Sequence, residues 1–217
     1  DSQSTDRTIE IAEEFGAQVV QFNYNGGWPK KKNWALENLP FSNEWVLILD
    51  ADECLPPQAE EEIRSIVTNP ADKHVGYWIN RRYFFTGKAL KHAYFPNWNL
   101  RLFKHKLGRY EKITDLTTDS GDHEIHEHVV VQGTTGKLKS IMDHHAFPTI
   151  ESFVEKHNRY SNWEAIVENE QKGQQRAVYG KGQLKHLSSA LSSEFGKGFD
   201  ITNLRNMRRF YLAFEKR

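Results

Sequence analysis

Trp45-Val-Leu-Ile-Leu-Asp50-Ala-Asp52-Glu53 is an apolar run that ends abruptly in three carboxylates. Val46 to Leu49 has the continuous apolar character of a central parallel strand covered on both faces, which places Asp50 and Asp52 at its carboxyl end. Open α/β sheets bind ligands at that end. If the chain stays extended, carboxylates two residues apart point the same way, and hard oxygen donors of this kind suit Mg²⁺ or Mn²⁺ bridging a diphosphate. The alternative is a solvated acidic turn leading into the helix that starts near Pro56.

Outward from that strand, helices and strands alternate. Ser4 or Thr5 caps a helix running to about Phe15, with Ile9, Ile11, Ala12 and Phe15 as its apolar stripe and Gly16 as its stop. Ala17 to Phe22 reads as a strand, Asn23 to Pro29 as a glycine-bearing loop, and Lys30 to Asn38 as a helix. Pro57 to Thr68 is a helix that turns Ile63, Ile66 and Val67 inward. This order is an α/β rhythm. From Gly76 to Phe103 the pattern changes to alternating aromatic strands bearing Tyr77, Trp78, Tyr83, Phe84, Phe85, Tyr94, Phe95 and Trp98, mostly core residues with the remainder free to stack on a sugar. A polar loop from Thr114 to Asp122, strands from Glu124 to Gln132 and Lys137 to Met142, and a helix from Ile150 to Glu164 complete this part. Glu168 to Arg176 is polar, a linker or a solvated helix.

The 217 residues suffice for one good core and a small second unit. Formal net charge is zero, but from Ile166 onward ten Lys/Arg face five Asp/Glu, whereas residues 1–165 hold 19 and 24, so two parts of different chemistry are expected. No stretch approaches the roughly 18 apolar residues of a membrane span. A cytoplasmic setting is the expectation, with peripheral attachment at the inner face of a membrane as its variant. The single cysteine, Cys54, rules out an internal disulfide and reads as a packing residue. Opening on a turn-like Asp1-Ser-Gln-Ser-Thr-Asp6, the chain reads as continuing from an upstream segment.

Four further groups carry chemistry. Asp1 falls at the end of the first strand, where a carboxylate accepts hydrogen bonds from a nucleobase or ribose, or else caps a helix. Lys30-Lys31-Lys32 opens a helix, where cations oppose the dipole unless a polyphosphate offsets them; Lys32 is nearest the phosphates in this reading. His123-Glu124-Ile-His126-Glu127-His128 lacks the helical zinc spacing, and the following valines favour a strand with His126, His128 and Glu124 on one side and Glu127 on the other. A glutamate there serves as general base, or the strand is simply a charged edge. Asp143-His144-His145 ends the next strand, where an imidazole completes a metal site begun by Asp52 or belongs to a surface pair.

Taken together, Asp1-Ser-x-Ser-Thr-Asp6-x-Thr8, Lys32-Asn33-x-Ala35-Leu36 and Leu49-Asp-Ala-Asp-Glu53 resemble the family 2 glycosyltransferases of the GT-A fold. Pro96-Asn-Trp98-Asn-Leu-Arg101-Leu-Phe103, His126-Glu127-His128 and Lys156-His-Asn-Arg-Tyr-Ser-Asn-Trp163 look like the branch that includes lipopolysaccharide-core glucosyltransferases of the WaaE type. The likeness covers residues 1–165. It implies a Rossmann-like α/β sheet lacking its first strand and inverting transfer from a nucleotide-diphosphate sugar, a UDP-sugar above all, to a saccharide or lipid-linked acceptor, with Mg²⁺ or Mn²⁺. By resemblance Asp1 contacts the nucleotide, Lys32 the diphosphate, Asp50 the ribose or metal shell, Asp52 the metal, His144 the metal or the diphosphate, and Glu127 is the base. Members of the family begin with an apolar strand and an Asn-Glu loop that are absent here, so weak or absent catalysis is expected of this chain.

The tail departs from that pattern. Tyr179-Gly-Lys-Gly-Gln-Leu-Lys-His-Leu-Ser, Glu194-Phe-Gly-Lys-Gly-Phe199 and Asn203-Leu-Arg-Asn-Met-Arg-Arg-Phe-Tyr-Leu-Ala-Phe214 resemble the N-terminal helical domain of YhcG-like nucleases, so residues 166–217 are expected to form a small helical unit without the nuclease domain. Two helices separated by Gly-Lys-Gly carry Leu184, Leu187, Leu191 and Phe195 on one stripe and Leu204, Met207, Phe210, Tyr211 and Phe214 on the other. Arg205, Arg208 and Arg209 form a basic face that either contacts DNA or is merely solvated. The alternatives to sugar transfer are therefore a DNA-binding module or a non-functional remnant of a fusion.

Overall fold

A computed structural model describes residues 1–112 and 128–157, together with 188–189, 192–193, 199–200 and 202–204. Its elements in chain order are α1 (Thr8–Glu14), α2 (Lys31–Asn38), β1 (Trp45–Leu47), β2 (Glu53–Cys54), α3 (Pro57–Val67), β3 (Gly76–Phe85), β4 (Lys88–Ala89), β5 (Trp98–Lys104), β6 (Gly108–Tyr110), β7 (Val129–Val131) and β8 (Thr135–Phe147). Residues 150–157 are helical. The main sheet runs β1-β5-β3-β8-β2 with β4 beside β3, and β6 pairs with β7 separately. This is a mixed α/β domain, and of the described residues of the tail 188–189, 192–193 and 202–204 are helical.

The carboxylate-tipped strand differs from the expected one. β1 pairs antiparallel with β5, and β3 with β8 is the parallel pair of this sheet. An apolar run reports burial on both faces, which β1 has through Val46 on one side and Trp45 and Leu47 on the other, but it does not report strand direction. Parallel character reappears at the start of the chain, where the Asp1 nitrogen donates to Val20 O at 2.7 Å and Phe22 N–H to Asp1 O at 2.8 Å. That alternation is the bond pattern of parallel strands, with α1 as the crossover.

α1 ends as expected: Gly16, at φ +75°, donates to Glu13 O, and Ala17 donates to Ala12 O, a Schellman closure. Its stripe does not behave as expected, since α1 buries no residue and Ile11 and Phe15 are exposed. Ser4 does not cap it either; its N–H and hydroxyl both donate to the Asp1 carboxylate.

Around the sheet, period-2 alternation sorts the side chains. Tyr77, Ile79, Leu102, Leu138 and Met142 pack beneath α3, whose Ile63, Ile66 and Val67 reach them. Trp78, Leu100 and Phe103 face the other way, toward Leu36 of α2, Tyr110 and Val129. α3 is clamped to β8 by Glu62, whose two carboxylate oxygens accept the Lys139 and Ser140 N–H groups. α2 is clamped by Asn33, buried, whose amide donates to Tyr110 O and accepts Tyr110 N–H, both at 2.9 Å. Tyr83, Phe85, Leu90, Phe147 and Phe153 form a third cluster, into which Leu204 of the tail inserts with Phe199 beside it.

Candidate functional site

Beyond β1 the chain does not stay extended. Glu53 N–H donates to Asp50 O at 3.0 Å, so residues 50–53 turn and the two aspartates face different partners. Asp50 Oδ1 accepts from Lys32 Nζ at 2.7 Å, and Oδ2 from Arg101 Nη2 at 2.6 Å. Asp52 Oδ2 lies 3.2 Å from His144 Nε2 and 3.4 Å from Lys156 Nζ. Oδ1 of Asp52 has no hydrogen-bond partner among the described residues.

Glu53 is the third carboxylate, and its side chain is completely buried. Oε1 accepts from Arg101 Nη2 at 2.5 Å and Arg81 Nη1 at 3.0 Å, while Oε2 accepts the Asp50 N–H at 2.9 Å. Strand alternation explains the choice: in β2 Glu53 points in and Cys54 points out, so Cys54 is exposed rather than a packing residue. Arg81 is held in turn by Asn97 Oδ1 and Tyr83 OH, each at 3.0 Å.

A β-bulge delivers Arg101. Tyr77 lies opposite Leu102 and Trp78 opposite Leu100, which leaves Arg101 as the extra residue of β5. Such an insertion re-aims a side chain and breaks the period-2 alternation, so Leu100 and Leu102 on either side of Arg101 join opposite faces of the sheet. Arg101 is 5% exposed, and its Nε has no hydrogen-bond partner among the described residues. A second irregularity, between Tyr83–His144 and Phe85–Phe147, loosens β8 just beyond His144, and His145 N–H there donates to Asp52 O at 2.8 Å. His144 therefore lies within β8, not at the end of a strand, opposite Tyr83 on one side and Glu53 on the other.

Electrostatics follow from these contacts. Burial pushes the Asp50 carboxyl up, but Arg101 and Lys32 outweigh it and hold the group well below the carboxylate range. The hydrogen bond from His144 is the largest influence on Asp52; with the charges of His144 and Lys156 it overcomes burial and brings the carboxyl down to about 2. Both aspartates are thus ionised at neutral pH. Lys32, Arg81 and Arg101 outnumber Asp50 and Glu53 by one charge, which suits an anionic ligand.

Of the residues singled out in the sequence, Lys32 meets Asp50 and His144 meets Asp52. Asp1 lies at the Val20–Phe22 pairing with its carboxylate engaged by Ser4. Glu127 lies outside the described residues, as do Arg205, Arg208 and Arg209. Arg81, Arg101, Glu53 and Lys156 were not given roles by the sequence reading. Arg101 carried a usable signal, a charge between Leu100 and Leu102 in an apolar strand, because a buried charge needs a partner.

No three described His, Cys, Asp or Glu side chains gather as a complete metal cluster. Asp52 supplies the hard oxygen donor that Mn²⁺ or Mg²⁺ takes together with diphosphate oxygens and water, and the His144 nitrogen beside it suits Mn²⁺ better than Mg²⁺.

The α/β sheet thus gathers ionised carboxylates and surplus cations at one strand end, the place where α/β domains bind their ligands. The chain belongs to glycosyl transferase family 2, whose family model matches residues 1–123. It is 32% identical over 173 residues to an uncharacterized glycosyltransferase of Rickettsia prowazekii, covering 76% of this chain and 56% of that protein. Another from Rickettsia conorii is 33% identical over 168 residues, covering 76% and 58%. The chain thus spans a little over half the length of these relatives. Residues 152–217 match the DUF1016 N-terminal domain, and the putative nuclease YhcG of Escherichia coli is 33% identical over 105 residues, 48% of this chain and 26% of that protein. Among the described residues no helix is long and apolar enough to cross a membrane.

Proposed function

We propose that this site transfers a sugar from a nucleotide diphosphate donor to a hydroxyl of a saccharide or lipid-linked acceptor, with inversion at the anomeric carbon. The observation that carries this reading is the divergent aspartate pair, with Asp50 locked to Lys32 and Arg101 and Asp52 set against His144. In this reading Asp1 meets the nucleotide, and Asp50 meets the ribose or the metal shell while fixing Lys32 beside the diphosphate. Asp52 and His144 would hold Mg²⁺ or Mn²⁺, which would supply positive charge against the departing diphosphate. Glu127 takes the proton of the acceptor hydroxyl as its oxygen bonds to the anomeric carbon. The old bond to the diphosphate breaks, and the nucleotide leaves with the electron pair. A lipid-linked acceptor would place the reaction at the inner face of a membrane.

Calorimetric titration of the full chain with uridine diphosphate, with and without Mn²⁺, tests the reading. Binding is expected only with Mn²⁺ in the wild type and is expected to be lost in Asp52→Ala. Mn²⁺-independent binding, equal binding in Asp52→Ala, or no binding would refute it. The nucleic-acid reading rests on the sequence likeness of the tail to a putative nuclease. Phe199 and Leu204 pack inward against the sheet, an observation that does not favour a free module.

A further inference from the structure

We infer that Lys156 is a resident counter-ion of Asp52 that competes with the divalent cation for the same carboxylate. This rests on the metal reading of Asp52 and His144 given above. Lys156 Nζ stands 3.4 Å from Asp52 Oδ2, the oxygen that also faces His144 Nε2 at 3.2 Å. Lys156 and His144 thus share one carboxylate oxygen, so an ion held by that oxygen and His144 would meet the ammonium.

An ordinary surface lysine would move aside at negligible cost, but Lys156 is anchored from both directions along its helix. Phe153 is buried against Phe147 and Phe85, at ring distances of 5.0 and 5.3 Å. His157 directs one ring nitrogen to Phe153 O at 2.7 Å and the other to Tyr94 OH at 2.8 Å. The Lys156 ammonium also lies over the Phe147 ring, 5.8 Å from its centroid. These contacts fix the helix backbone that carries Lys156 and so keep its ammonium within reach of Asp52.

With the counter-ion in place, Asp52 is neutralised before any metal arrives. A divalent cation must then displace the ammonium, which lowers its apparent affinity. Lys156 accordingly keeps the site closed to cations bound weakly, and favours those that arrive with a diphosphate supplying extra ligands.

The test measures Mn²⁺ binding to the full chain at low ionic strength, without nucleotide, by the loss of the free-ion electron paramagnetic resonance signal. Lys156→Met should bind Mn²⁺ about two- to five-fold more tightly than the wild type, the range expected from removing a partly exposed ion pair. Lys156→Arg should remain within error of the wild type because the competing charge is kept. Equal or weaker binding by Lys156→Met, or equal tightening by Lys156→Arg, overturns the inference while leaving the metal site standing if Asp52→Asn abolishes binding. Unchanged binding in Asp52→Asn overturns the metal reading and this inference with it. Circular dichroism of each variant separates lost binding from lost fold.

Discussion

Replacing Glu53 by Gln should be among the most damaging single-atom changes available in this site. The side chain has no exposed surface, and its carboxylate receives Arg101, Arg81 and the backbone N–H of Asp50. Glutamine offers one acceptor oxygen. If that oxygen stays with the guanidinium groups, the new amide faces the Asp50 N–H; if it flips, the amide faces the guanidinium protons. Donor meets donor either way, and Arg101 and Arg81 lose a full compensating charge. Removing one partner of a buried ion pair costs about 3–5 kcal/mol. Asp50→Asn is the control, because its side chain is 35% exposed and Arg101 retains Glu53, which limits the loss to about 1 kcal/mol. In urea unfolding followed by far-ultraviolet circular dichroism, with a slope of about 2 kcal/mol per molar, the Glu53→Gln midpoint should fall by about 1.5–2.5 M. A Glu53→Gln midpoint within experimental error of the wild type, or above that of Asp50→Asn, would refute the assignment of Glu53 as the anchor.

Two other changes test the framework. Thr86 and Gly87 form the two-residue connection of β3 to β4 with φ +46° and +79°, the conformation in which Asn precedes Gly most favourably, so Thr86→Asn should raise stability by about 0.5–1 kcal/mol in the same urea assay. Burial, aided by the charge of Lys156 and opposed by the bond to Phe153 O, holds the His157 imidazole below its usual pKa, so the unfolded chain binds its proton first as pH falls. Stability from this group is complete above about pH 6.5 and declines as pH drops toward the depressed value, so His157→Gln should flatten the fall in urea midpoint between about pH 7 and 5.5.

Local features of this chain were legible and long-range ones were not. Pro57 followed by Ile63, Ile66 and Val67 marked α3, and Gly16 marked the end of α1, because caps and periodicity act within a few residues. The identity of the partner for Val46 and Leu47 is a different kind of information. It depends on Leu102 and Phe103 far along the chain, and an antiparallel arrangement leaves no separate mark on an apolar run. Asp50 and Asp52 were expected to point together because they are two apart; the turn closed by Glu53 N–H separates them. Arg101 reaches Glu53 across 48 residues through a bulge that no periodicity signals. Lys32 was singled out because it stood at a helix start that was visible, whereas His144 was singled out at an expected strand end that the structure replaces by the interior of β8.

The match to the DUF1016 N-terminal domain starts at residue 152, yet the packing does not divide there. Phe153 and His157 lie among Phe85, Tyr94 and Phe147, residues of the main sheet and its loops. Asp200 receives the N–H groups of Thr202 and Asn203 on its carboxylate, and this turn sets Leu204 into the same cluster. Tyr83 joins that cluster to the site, since its ring lies 4.6 Å from that of His144 and its hydroxyl accepts from Arg81. A change at Leu204 therefore acts on an apolar cluster shared with the residues behind Asp52 and Glu53, and its effects would reach the candidate site through Tyr83. Sequence likeness separates the two segments; apolar burial joins them.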